Sequence, residues 1–175
     1  MRQLLATLLG IFLFGSALAD DDLPIPGIPA GRDVPNAHLS PDPNAEYKVM
    51  FDLVMTDDDL SDPYPMLRPI AVYVNTLAKF GIPQDKRKIA IVLHRGSGLI
   101  GLKNEVFKEW HDGQDNPNIE LIQQLAAAGV TFHLCGQGMV SRELSKDDLL
   151  PEIQVDYWAL TTIIELQRQG YAKIG

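Results

Sequence analysis

The sequence is short of cysteine, of basic residues and of long apolar runs, and each shortage excludes something. A single cysteine, Cys135, among 175 residues rules out a disulfide within the chain and leaves one unpaired thiol. Lys and Arg number 15 against 23 Asp and Glu, for a formal charge of −8 and a pI near 4.8. With no basic patch concentrated anywhere, nucleic acid and anionic membrane are excluded as the main partners. After residues 4–14 no further apolar run appears, and that one is short of the roughly 20 residues of a membrane span. Metal motifs of the Cys-x-x-Cys or His-x-x-x-His kind are missing. Gly96, Ser97, Gly98 and Gly101 lack the Gly-Lys-Ser/Thr ending of a phosphate loop. There is no internal repeat.

What is present begins with an export signal. Arg2 supplies the positive region, residues 4–14 the apolar region, and Ala17, Leu18 and Ala19 a small-residue cleavage site before Asp20. The expectation is a signal peptide over 1–19, cleaved after Ala19, and a soluble periplasmic protein without stable membrane association. An uncleaved anchor is the alternative. A lipid anchor would need a cysteine where Asp20 stands. Loss of Arg2 with the signal takes the formal charge from −8 to −9. Residues 20–46 hold Pro24, Pro26, Pro29, Pro35, Pro41 and Pro43 with little apolar periodicity, which reads as an extended or disordered leader. His38 lies there as an exposed loop imidazole. The remaining residues, 47–175, are enough for one domain with a substantial core.

That domain alternates strand-like and helix-like segments. Residues 47–55 are short and apolar. Residues 66–80 place Ile70, Val74, Leu77 and Ala78 at helical spacing before Gly81. Residues 88–94 are apolar in succession, as in a strand covered on both faces. Helices follow over 103–110 and 118–128, then a strand over 130–135. A short helix over 141–150, a strand over 152–157, a last helix over 159–169 and a short edge strand over 171–174 complete the pattern. This order predicts a three-layer α/β/α fold with a mostly parallel sheet of four to five strands. Ligands in such sheets bind at the carboxyl ends of the strands.

Cys135 ends the third strand against the turn Gly136, Gln137, Gly138. A thiolate there would be favoured by helix N–H groups or a nearby cation. The sequence suggests a helix starting near Val140 or Ser141 for the first and Arg142 or Arg95 for the second. Against this, free cysteine often behaves as a small buried hydrophobe. His133, two residues away on the same strand, projects from the same face roughly 6.5 Å along the chain; it reads as a half-buried ring packed under a helix. His94 ends its strand beside Arg95, Gly96, Ser97 and Gly98, a turn that neighbours the Cys135 loop if the strands are adjacent. It is the second site candidate, as proton donor or hydrogen-bond partner. A metal would have to gather Cys135, His133 and His94, a poorer explanation in the absence of ligand spacing. The acidic run Asp57, Asp58, Asp59 with Asp62 reads as a solvated loop or helix cap. Trp110 and Trp158 belong in the core or at a subunit contact.

These segments resemble the DsrE/DsrF-like sulfur-relay proteins, and more closely their exported relatives. The likeness rests on Val92, Leu93, His94, Arg95 and Gly96, on Asn116, Pro117 and Asn118, on Ala127, Ala128, Gly129 and Val130 leading into Leu134, Cys135, Gly136 and Gln137, and on residues 166–171. It covers nearly the whole of 47–175. Two positions depart from the family pattern: Arg95 intervenes where relatives run His into Gly, and Gly138 stands where Ser or Thr is common. The resemblance implies that Cys135 carries sulfur as a persulfide and that the chain assembles as a trimer or hexamer. Cys135 and His94 are the catalytic candidates, and Arg95, Gly96, Gly136 and Gln137 the binding candidates. A sulfane sulfur donor or a thiol-bearing acceptor protein is then the partner, and no cofactor or metal is expected. The alternatives are a non-catalytic binding module with a structural Cys135, and a metal- or haem-related binder.

Overall fold

In the computed structural model, residues 22–55 and 61–175 are described. The signal segment 1–19 and the acidic residues Asp57, Asp58 and Asp59 lie outside them. The elements run β1 (Tyr47–Met55), α1 (Leu67–Lys79), β2 (Arg87–Arg95), α2 (Asn104–Trp110), α3 (Ile119–Ala127), β3 (Thr131–Cys135), α4 (Gly136–Val140), β4 (Ile153–Asp156), α5 (Ala159–Arg168) and β5 (Ala172–Ile174). The five strands form one sheet in the order β4-β3-β2-β1-β5, with every pairing parallel. The expected three-layer α/β/α architecture is present. Four strands are laid down successively to one side, and α5 then carries the chain back to the opposite flank of β1. Such a reversal is the topological switch point of an open parallel sheet.

Strand parity divides the core. Val49, Phe51 and Leu53 of β1, with Ile89, Ile91 and Leu93 of β2, join the buried faces of α1, α2 and α3 in the large cluster. The alternate residues Met50, Ala90 and Val92 join Cys135 and Ala159, Ile163 and Leu166 of α5 in a smaller one. A strand buried on both faces loses its alternation of apolar and polar residues, which is why β2 reads as a continuous apolar run. Three helices end alike. Gly81, Gly129 and Gly170 adopt φ of 78°, 92° and 91°. The following residue donates to the carbonyl five positions back: Ile82 to Leu77, Val130 to Leu125 and Tyr171 to Leu166, each 3.0 Å. This left-handed closure turns α3 and α5 directly into the next strand, and α1 into a 3-10 turn, Gln84–Lys86, that leads to β2.

Two expectations need correction. The helix read over 141–150 is absent. Instead α4 begins at Gly136, and the later stretch holds one 3-10 turn, Lys146–Asp148, closed by a reciprocal Ser145–Asp148 cap. Leu149 and Leu150 are buried, and Leu149 bridges to Leu102, so the chain must extend there to bring both side chains into the core. The leader, read as extended or disordered, forms no α-helix or strand over 22–46, but its first part is docked. Ile25 is fully buried in the large cluster. The buried Asn75 amide of α1 clamps it, accepting from Ile25 N at 3.0 Å and donating to the carbonyls of Ile25 at 2.9 Å and Ile28 at 2.6 Å. Gly31 N donates to Thr76 Oγ1 at 2.8 Å. Proline content signals a lack of helix and strand, and says nothing about side-chain docking. Among the described residues no helix is long and apolar enough to cross a membrane.

Candidate functional site

Parity on β3 sends Phe132 and Leu134 into the large core and Thr131, His133 and Cys135 to the face covered by α5. The β2–β3 register ends at Leu93↔Leu134. His94 and Cys135, next along each strand, therefore stand side by side on that face. On the other side Cys135 is in register with Asp156. The sulfur is close to buried, with Cys135 6% exposed.

The backbone N–H of Ala159 donates to Cys135 Sγ at 3.3 Å. Ala159 is the first residue of α5. The N–H group that reaches the sulfur thus comes from the start of that helix, and not from a helix beginning near Val140 or Ser141. A thiolate at a helix N-terminus meets a favourable local dipole. The close approach depends on Gly136: a Cβ there would stand 2.7 Å from the Asp156 carbonyl oxygen, so a side chain would push apart the two strand ends that bring Ala159 to the sulfur.

Cys135 lines a cleft together with His94, Arg95, Met139, Arg142 and Leu144. The space inside is small, at the lower limit for a single water. The cleft has two arginines and a histidine and no carboxylate in its walls, an unusual local charge in so acidic a chain. Arg142 Nη1 donates to the Gly138 carbonyl at 3.0 Å, which fixes it across the turn after Cys135. Arg95 has φ 57° and ψ −133°, a conformation that residues with a Cβ rarely adopt. Arg95 therefore occupies a position that glycine would fill without strain. The turn is held by Ser97, fully buried, whose hydroxyl lies 2.6 Å from the Leu53 carbonyl and accepts from His94 N at 3.0 Å. Of the sequence candidates, Cys135, His94, Arg95 and Arg142 come together. Gly96, Gly136 and Gln137 lie outside the cleft walls. Gly96 starts the turn after β2, Gly136 is pressed against β4, and Gln137 is exposed and donates to the Tyr157 carbonyl at 3.2 Å.

The two histidines differ in their partners. His133 is half-buried beside α5, with Nδ1 3.0 Å from Asp156 Oδ2 and Nε2 3.0 Å from Thr131 Oγ1; Thr162 also donates to Asp156 at 2.8 Å. His94 has Nε2 2.7 Å from Asp52 Oδ1, and Lys173 Nζ lies 2.6 Å from the other Asp52 oxygen. Burial alone would raise the Asp52 carboxyl, but the hydrogen bonds and charges of Lys173 and His94 outweigh it and hold the group below the ordinary carboxylate value. Asp52 and Lys173 stand on β1 and β5, on either side of the switch point, so His94 links that point to the cysteine cleft. Sequence reasoning missed Asp52, Lys173, Asp156 and Ala159. Asp52 carried a signal, as a lone carboxylate inside an apolar strand. The backbone N–H of Ala159 carried none. Among the described residues, no three His, Cys, Asp or Glu side chains gather as a metal ion would require.

No curated protein matches the chain. Among solved structures the chain is similar to MTH1491, a protein of unknown function from Methanobacterium thermoautotrophicum, at 21% identity and a TM-score of 0.48, over 74% of this chain and 98% of that one. The model of the DsrE/DsrF-like family matches residues 53–174. That span takes in every strand except the start of β1, together with His94, Cys135 and the whole cleft, and it makes the chain a member of the DsrE/DsrF-like family.

Proposed function

We propose that this protein is a periplasmic thiol-based sulfur carrier or sulfurtransferase-like protein in which Cys135 accepts sulfane sulfur as a persulfide. The observation that supports this most is the sulfur atom itself: it takes an N–H from the start of α5 at 3.3 Å and faces a cleft lined by Arg95, Arg142 and His94. Family membership supports a role in sulfur relay. In the loading step the Cys135 thiolate attacks the terminal sulfane sulfur of a persulfide or polysulfide. The donor's S–S bond breaks, a Cys135 Sγ–S bond forms, and the donor leaves as a thiolate with the electron pair. An acceptor thiolate then attacks the outer sulfur, takes it, and releases the Cys135 thiolate. No net oxidation occurs. A cleft this narrow suits a donor that presents only its terminal sulfur while the rest stays outside.

The burial of Cys135 among Met50, Ala90 and Val92 favours a second reading, a binding module whose thiol only fills space. Intact mass separates the two. Mature protein incubated with polysulfide should gain the mass of one sulfur atom, lose it to dithiothreitol, and show neither change as Cys135→Ser. A thiol that takes up no sulfur, and is alkylated only after denaturation, would establish the second reading. The reading of export rests on the signal over residues 1–19 and not on the cleft. N-terminal sequencing of secreted protein should start at Asp20, and a start at Met1 in membrane fractions would reject cleavage.

A further inference from the structure

We infer that Asp52 and His94 form the proton-accepting pair for Cys135, with Asp52 as the positioning residue that fixes the imidazole's tautomer. The inference rests on the reading of Cys135 as the reacting thiol and adds to it the group that takes its proton. A carboxylate can only accept hydrogen bonds, so the 2.7 Å contact from Asp52 Oδ1 assigns the ring proton to His94 Nε2. Nδ1 is then the basic nitrogen. Among the described residues it has no hydrogen-bond partner, and His94 lines the same cleft as Cys135 on the adjacent strand. His133 makes the contrast. Its Nδ1 is on Asp156 and its Nε2 on Thr131, which leaves no nitrogen for chemistry although it is two residues from the thiol.

The other groups around His94 fit this role. β1 contributes Asp52, β5 contributes Lys173, and β3 contributes Cys135. Arg95 ends β2, Arg142 comes from the turn after α4, and α5 presents Ala159, Ile163 and Leu166, none of them charged. Lys173 occupies the second Asp52 oxygen at 2.6 Å, so the carboxylate is held from both sides and cannot turn away from the ring. The step is a proton transfer from Cys135 Sγ to His94 Nδ1. It leaves a thiolate facing an imidazolium whose second N–H remains on Asp52, the arrangement that activates a thiol through an oriented base.

The test is the rate of Cys135 alkylation by iodoacetamide against pH, in the full mature protein and in His94→Gln, Asp52→Asn and His133→Gln. With the pair acting as base, His94→Gln and Asp52→Asn lower the rate near neutral pH by about tenfold or more. All forms converge above about pH 10, where an unassisted thiol ionises by itself, and His133→Gln keeps the parent profile. A His94→Gln profile that superimposes on the parent overturns the inference. So does a loss equal at every pH, which would mark a structural role, or an equal loss in His133→Gln. Circular dichroism identifies any variant that unfolds, and if Asp52→Asn does, His94→Gln decides. Alkylation needs no sulfur donor. If sulfur uptake fails while the profiles hold, the sulfur-carrier reading falls and the pair stands; uptake with superimposed profiles rejects the pair alone.

Discussion

Gly136 sets the distance between the end of β3 and the end of β4. Its missing side chain leaves space that a Cβ would close to 2.7 Å against a backbone oxygen, and backbone cannot swing aside as a flexible side chain can. Gly136→Ala is therefore expected to cost about 1–3 kcal/mol in chemical denaturation and to lengthen the contact from Ala159 to Cys135. The change should slow alkylation of Cys135 even in the fraction that remains folded. His111 offers a second test at this scale. Its ring packs on Phe107 with centroids 4.2 Å apart, and burial lowers its pKa, only partly opposed by the charge of Asp112. The folded value lies below the unfolded one, so the contribution is complete above the ordinary value of 6.5 and is lost as pH falls below it. The melting temperature should drop between about pH 7 and about pH 5, and His111→Phe should reduce that drop. Asp52 acts in a lower window. Its folded value is depressed, so its contribution is present above the ordinary value of 3.8 and is lost under stronger acid.

Among the elements, the leader and α5 do more than their composition announces. Ile25 is fully buried, 22 residues before the first strand, so the folded unit begins well ahead of β1. Ile25→Ala should destabilise by about 2–5 kcal/mol, as measured by urea denaturation, and should expose the segment around it to proteolysis ahead of the rest of the chain. No change in either measurement would mean that the docking adds nothing. Most elements were legible. β1 was expected over the residues it occupies, and the other strands and the long helices differ from expectation by a residue or two, because burial on both sheet faces and helix-ending glycines leave strong local signals. The expected helix over 141–150 failed for a tertiary reason. Leu149 and Leu150 must reach the core, and local helical preference does not register that demand.

For the whole molecule, the surface of α5 bears on assembly. Trp110 and Trp158 are each 45% exposed, so neither belongs to the core of one chain. Tyr157, Leu160 and Ile164 are exposed with Trp158 at the start and along the outer side of α5. Beside them on the exposed side of α5 stand Thr161, Glu165, Gln167 and Arg168, and we propose that the large apolar side chains among these polar ones meet another copy of the chain. The expected outcome is a trimer or hexamer of mature protein in light scattering, unchanged by Cys135→Ser and broken to monomers by Leu160→Asp with Ile164→Asp. A parent protein that is monomeric at micromolar concentration would reject this, and a dimer lost in the serine variant would show an intermolecular disulfide.

The alternation of elements, the parallel sheet and the position of Cys135 at a strand end follow from local patterns: the period of apolar residues, the glycines that end helices and the turn after the cysteine. The partners of Cys135 and His94 do not. Ala159 is 24 residues from the thiol and Asp52 is 42 residues from the imidazole. Those pairs meet because the strand order places β1 beside β2, and because α5 crosses back over the face that parity had given to Cys135. Strand order and register are set by the burial of both sheet faces at once, a property of the assembled layers and of no single segment.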